Sequence, residues 1–179
     1  GILGGRWLIP QGITPYLDQV ATIALAVALF GIGVDLGRNR EAVRRAADLG
    51  YSILLVPLGV AVGSLTGAVA AGFLAGLTPA MSAAVGAGFG WYSLSGIMLA
   101  RLSGPEAGTL AFLANVMREM LAILLIPLVA RRLGRITAVA PGGATSMDVT
   151  LPIIVRSTGD DVAVVAFLSG AILSSAVPL

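Results

Sequence analysis

The sequence predicts an all-α polytopic membrane protein, with transmembrane helices and two re-entrant or broken hairpins in an inverted-repeat, transporter-like arrangement. Three observations predict it. Of the 179 residues, 57% are hydrophobic and only 11% are charged. A water-facing exterior needs roughly a quarter of the residues charged. Mean hydropathy is +0.96, and several apolar stretches reach the ~18–20 residues that one bilayer crossing takes. Finally, the arginine-rich stretches sit so that a chain crossing at every apolar segment would leave one of them on the wrong face.

Composition narrows the chemistry. The chain has no cysteine, which excludes disulfides and thiolate metal sites. It has no histidine, so proton chemistry near neutral pH falls to carboxyl groups whose neutral form is favoured by burial. A net charge of +2 is too small to point to nucleic acid. No cofactor is expected, and no cleavable signal peptide is visible. The opening GILGGRWLI reads as the tail of a preceding helix.

Four crossings are expected, over residues 16–36, 47–77, 107–130 and 160–179. Two glycine-rich segments, 80–100 and 142–155, lie between them. Positive loops stay in the cytoplasm, so RNREAVRR, with Arg38, Arg40, Arg44 and Arg45, belongs inside. A full crossing at 80–100 would then put Arg131, Arg132 and Arg135 of RRLGR outside. A segment that enters and returns on the outer side puts them inside. The same logic makes 142–155 a hairpin entering from the cytoplasm. A helix and hairpin followed by an oppositely directed helix and hairpin is a common plan of secondary transporters. No letter-by-letter repeat supports it. Gly59, Gly63 and Gly67 share one helix face and read most simply as a close helix contact.

The third crossing carries ANVMREMLAILLIP, with Arg118 and Glu119 near its middle. A charge there costs roughly 2.5–3.5 kcal/mol on insertion scales. Adjacent helical residues point about 100° apart and do not face each other. Each charge therefore looks for a partner on another element. A structural ion pair is the plainer reading for Arg118. Glu119 reads as part of a substrate or ion pathway, the usual role of an intramembrane carboxylate. Asn115 shares its face.

The two glycine-rich segments carry the other candidates. In GAGFGWYSLSG, Gly88 and Gly90 leave backbone bare beside Trp91 and Tyr92, and Ser93 and Ser95 add hydroxyls. In PGGATSMDVTLP, Thr145, Ser146 and Asp148 follow two glycines. Non-helical backbone at membrane depth is tolerated only against protein or a wet cavity, where half-helix ends can face an ionic substrate. Close helix packing is the plainer reading of the first, and an N-cap role for Ser146 or Asp148 of the second. Asp35 ends the first crossing near the arginines and reads as an interfacial ion-pair partner.

GFGWYSLSGIM, NVMREMLAILLIP and GGATSMDVTLPI, in this order, resemble the prokaryotic LysO-type lysine exporter family, and GIGVDLG is similar to its helix just upstream. The resemblance covers essentially the whole chain but only the C-terminal portion of a typical member. The family's N-terminal helices are expected to be trimmed or supplied by a separate chain, and a homodimer is the other way to complete a path. The resemblance implies a multi-pass protein of the prokaryotic inner membrane that exports L-lysine and analogues such as thialysine. It places functional carboxylates on Glu119 and Asp148, with no enzymatic activity. Those carboxylates would face the ammonium groups of lysine, and NH and OH donors near Ser93, Ser95, Thr145 and Ser146 its carboxylate. Protons, or else sodium, would be the coupling ion. Arg118 would hold one carboxylate ionised or occupy the vacant site.

Other classes compete with export of lysine. Export of another amino acid or small cation is the near neighbour. A noncatalytic membrane assembly subunit predicts that Glu119 serves packing alone. An intramembrane aspartyl protease built on Asp35 and Asp148 lacks the required motifs, because Val34 intervenes in GIGVD.

Overall fold

The computed structural model describes residues 54–179 together with Val20, Ile23, Val27, Phe30 and Val34. The chain divides into two units, Gly1–Arg38 and Asn39–Leu179. In the first unit, the five described residues are all helical. Asp35, most of the crossing expected at 16–36, and the arginines from Arg38 to Arg45 lie outside the described residues.

The second unit is helical throughout its described residues, with no strand among them. Helix α1, Leu55–Leu74, lies within the expected 47–77 segment. It ends because Gly76 adopts φ 73°. The Gly76 N–H then bonds the Phe73 carbonyl, and the Leu77 N–H bonds the Gly72 carbonyl at 2.9 Å. This double bond pattern closes a helix on a left-handed glycine. Helix α2, Pro79–Gly86, starts with Pro79 in its first turn and the Thr78 hydroxyl accepting from the Met81 N–H. Proline is favoured there because its missing N–H has no helical partner anyway. The chain then unwinds through Phe89, at φ 46°, and Gly90, at φ 98°. Helix α3, Tyr92–Ser103, follows.

Gly104 and Pro105 reverse the chain into α4, Pro105–Arg132, which contains Arg118 and Glu119. Next comes a 3-10 segment, Thr137–Met147, broken at Gly143 with φ 58° and ψ −128°. Helix α5, Leu151–Thr158, is short and begins with Pro152 in its first turn. The expected 160–179 segment forms a 3-10 turn, Asp160–Val162, and the 14-residue helix α6, Ala163–Ala176. Helices α1 and α4 are both long and apolar enough to cross a membrane. Leu113, Met117, Met120 and Leu124 of α4 face outward, as lipid contact would favour.

Packing places the two unwound segments tip to tip. Small residues let the elements approach closely. A Cβ on Gly86 of α2 would fall 2.5 Å from Ala68 of α1, and one on Gly108 of α4 2.6 Å from the Gly96 carbonyl of α3. Met81, Ala84 and Val85 of α2 pack on Leu99, Ala107 and Ala111, from α3 and the start of α4. The second segment runs out and back at the opposite end of α4. There the Arg135 guanidinium bonds the Thr158 carbonyl and pairs with Asp161. Ala138, Val139 and Ile154 of this segment pack against Ala122 and Ile126 of α4. Where the tips meet, Ala144 donates its N–H to the Phe89 carbonyl at 2.8 Å. Val60, Phe89, Ala144 and Leu173 form the apolar cluster around that bond.

The described contact of α1 with α2 does not run through its glycine stripe. Among the described residues, a Cβ on Gly59, Gly63 or Gly67 would meet nothing within 4 Å. The neighbouring stripe of Ser64, Ala68 and Gly72 makes the contact with α2 instead. Close approach needs only small side chains, and this stripe already supplies them.

These environments separate two glycine substitutions. At Gly143 a Cβ would fall 2.2 Å from the Phe89 carbonyl, at a φ that side chains rarely adopt. Gly143→Ala should lower stability by about 2 kcal/mol or more, from backbone strain together with the clash. Gly63→Ala should be neutral or stabilising by up to ~1 kcal/mol, the helix-propensity difference. Thermal midpoints in detergent check the pair. Equal losses would contradict the described break.

Candidate functional site

Asn115 organises the first break. Its Oδ1 accepts the Gly90 N–H at 2.8 Å. Its amide lies within donating distance of the Val85 carbonyl, the Ala111 carbonyl and the Ser95 hydroxyl. A Cβ on Gly88 would fall 2.5 Å from that amide nitrogen, so only glycine leaves it room. Asn115 and Ser95 are buried. Tyr92 stands edge-on to Phe112, with ring centroids 5.5 Å apart, and Trp91 packs on the apolar cluster at the crossing. Ser93 is exposed on the first turn of α3.

The second break is held in the same way. The Thr145 hydroxyl donates to the Gly142 carbonyl at 2.9 Å. The Ser146 hydroxyl lies 2.8 Å from both the Gly143 and the Ala166 carbonyls, which ties the break to α6. Thus Asn115, Ser95, Thr145 and Ser146 direct their polar atoms at neighbouring backbone. This is what irregular backbone in a low-dielectric setting demands.

The two charges of α4 enter different surroundings. Arg118 donates to the Ser64 hydroxyl at 2.9 Å, and Ser64 in turn donates to the Gly86 carbonyl. Its guanidinium lies against Gly143, where a Cβ would fall 2.7 Å away. Arg118 also lines a groove of about 460 Å³ with Gly59, Gly63, Gly67 and Asn115. The open glycine stripe of α1 is one wall of this groove.

Glu119 has Oε1 buried with no hydrogen-bond partner among the described residues. Asp148 is close enough to act on it electrostatically. Asp148 is exposed, and its Oδ1 accepts the Val149 N–H at 2.6 Å. Helix α5 itself begins at Thr150 without a side-chain cap. No ion pair joins Arg118 to either carboxylate among the described residues. The fold thus places Asp148 within electrostatic reach of Glu119, one of whose oxygens has no partner among the described residues. Such a pair favours a cation, because like charges at close range raise each other's energy.

Sequence reasoning missed Ser64 and Phe89. A lone serine between two glycines was a weak signal for Ser64. A left-handed phenylalanine has no sequence signal at all. Thr150 and Ser169 also have buried hydroxyl oxygens without a partner among the described residues.

The model of the family "Lysine exporter LysO" matches residues 1–179. The chain belongs to that family. The lysine exporter LysO of Escherichia coli K12 is 39% identical over 164 residues, which are 92% of this chain and 54% of that relative. The chain thus spans about half the length of that relative. A Haemophilus influenzae relative is 33% identical over 180 residues, covering 100% of this chain and 88% of its own length. No solved structure matches. In this LysO-family chain, the two carboxylates that the resemblance singled out, Glu119 and Asp148, are within electrostatic reach of each other.

Asn115→Leu should destabilise the chain by about 1–3 kcal/mol, the cost of leaving buried backbone groups unpaired. Hydrogen exchange at the Gly90 amide should accelerate with it. Unchanged exchange there would show that the Asn115 bond does not hold the break.

Proposed function

We propose that this chain forms the cation-binding half-site of a secondary transporter that exports L-lysine from the cytoplasm of a prokaryotic cell. The observation that carries the reading is Glu119, with one buried oxygen lacking a partner, beside Asp148. Membership of the lysine exporter LysO family supports lysine as the substrate. Two ammonium groups on one small molecule match two neighbouring carboxylates.

In this reading the segments 79–103 and 137–158 are re-entrant and enter from opposite faces. Their tips meet near the bilayer midplane, the usual place of a transporter site. The clamps made by Asn115, Ser95, Thr145 and Ser146 keep the unwound backbone satisfied, so Glu119 Oε1 remains for the substrate. Arg118, in the adjoining groove, presents a positive charge to the substrate carboxylate. Protonation of Glu119 or Asp148 removes the attraction for lysine. A site that holds lysine or protons in turn gives exchange, and thialysine, with the same charges, uses the same path.

The test is lysine exchange in proteoliposomes. Glu119→Gln should lower exchange about tenfold or more, the equivalent of ~1.4 kcal/mol of lost attraction. Its thermal midpoint should stay near wild type, since the replaced oxygen bonds nothing in the described chain. The apparent KM for lysine should rise as pH falls, because protons compete for the same carboxylates. Replacing sodium by potassium should change nothing. A Glu119→Gln protein that exchanges lysine normally would remove Glu119 from the site. Wild type that moves no lysine would remove the substrate assignment.

A further inference from the structure

A second cavity, lined by neither carboxylate, lies between α4 and α5. Its volume is about 550 Å³. Ile123, Pro127 and Arg131 line it from α4, and Pro152, Ile153 and Arg156 from α5. The α4 residues are spaced by four, so they form one face. The α5 residues likewise pair at adjacent turns. Both arginines stand in the last turn of their helices. The slot is thus cationic at one end and apolar along its length, which from Ile123 to Arg131 is about 12 Å at 1.5 Å per residue.

Neither Arg131 nor Arg156 has a hydrogen bond or ion pair among the described residues. Arg135, nearby in sequence, is paired with Asp161. The field of a helix C-terminus favours a cation in its last turn, and this explains an arginine at each helix end. It does not explain why two of them share one apolar slot.

We propose that this slot binds one anionic phospholipid. The two guanidinium groups take the phosphate, and an acyl chain lies along Ile123, Pro127 and Ile153. Charge complementarity identifies the headgroup as anionic, and the apolar wall of Ile123, Pro127 and Ile153 distinguishes a lipid from a free anion. Basic pockets between membrane helices on the cytoplasmic side are suited to such headgroups. Because the slot lies between α4 and the returning arm of the second broken segment, the lipid sits as a wedge against α5. The proposal needs the chain to be in a membrane but does not depend on lysine as its substrate.

Native mass spectrometry tests it on the full chain, with equimolar phosphatidylglycerol and phosphatidylcholine of the same acyl length. Wild type should retain one phosphatidylglycerol with a preference of about tenfold, in line with two arginine contacts at a membrane surface. Arg131→Gln with Arg156→Gln should reduce the preference to within about twofold. Should that double variant misfold, Ser157→Glu, which adds an acid to the same slot, should do likewise. Arg132→Gln, one residue outside the slot, should keep the preference. Inorganic phosphate at millimolar concentration should not displace the lipid. The proposal is overturned by no preference in wild type, by a preference that survives in the slot variants, by equal loss in Arg132→Gln, or by displacement with phosphate alone.

Discussion

The hydrogen bond from the Ala144 N–H to the Phe89 carbonyl, at 2.8 Å, is the contact on which the rest of the second unit depends. Each broken segment leaves backbone groups that no helix satisfies. In a low-dielectric setting an unsatisfied group costs several kcal/mol. The two breaks meet that demand partly with each other. Everything around the crossing follows from this. Phe89 accepts a left-handed backbone, Gly143 leaves space that a Cβ would fill, and Asn115 holds the Gly90 N–H. Gly170 of α6 lets that helix approach until a Cβ would fall 2.4 Å from the Met147 nitrogen.

Sharing one hydrogen bond also couples the two segments. Neither tip can withdraw without stranding a polar group on the other. Arg118 reinforces the coupling, since its guanidinium touches Gly143 while bonding Ser64 of α1. Rearrangement of one segment therefore transmits to α1 and to the other segment through contacts of known direction. A transporter that exposes its site alternately to two faces needs such a link.

Much of this was legible in the sequence, for identifiable reasons. Glycine, serine and threonine at positions 86–96 and 141–150 marked both breaks, because a helix interior has little use for such residues. Glu119 and Asp148 stood out as carboxylates in apolar surroundings. Two things were not legible. Ser95, Thr145 and Ser146 read as substrate donors and Asn115 as a neighbour of Glu119 on its face, yet their polar atoms bond backbone groups. A sequence shows a donor but not which acceptor lies within 3 Å. The stripe of Gly59, Gly63 and Gly67 read as a helix contact, while among the described residues the contact with α2 runs through Ser64, Ala68 and Gly72. Two small-residue stripes one position apart are equivalent in sequence. Only the placement of α2 separates them.

That division of labour bears on why the site can be selective. The neutral side chains satisfy the backbone, and Glu119 Oε1 is left without a partner among the described residues. Had a hydroxyl bonded Glu119 Oε1, the oxygen would be cheaper to bury. A cation would then have to displace that bond before binding, and its gain would shrink. A buried polar atom without a partner costs about 1–3 kcal/mol, and Glu119 Oε1 has none among the described residues. Under the proposed function, that free energy would return when an ammonium group arrives, since the contact would form without breaking another. Asp148 sharpens the effect by raising the energy of two neighbouring negative charges until a cation separates them. An arginine placed to neutralise the pair would stabilise the empty protein and abolish the attraction. Arg118 is next to Glu119 in sequence, but the 100° turn between adjacent helical residues directs it to Ser64 and the groove, and so keeps the two carboxylates available.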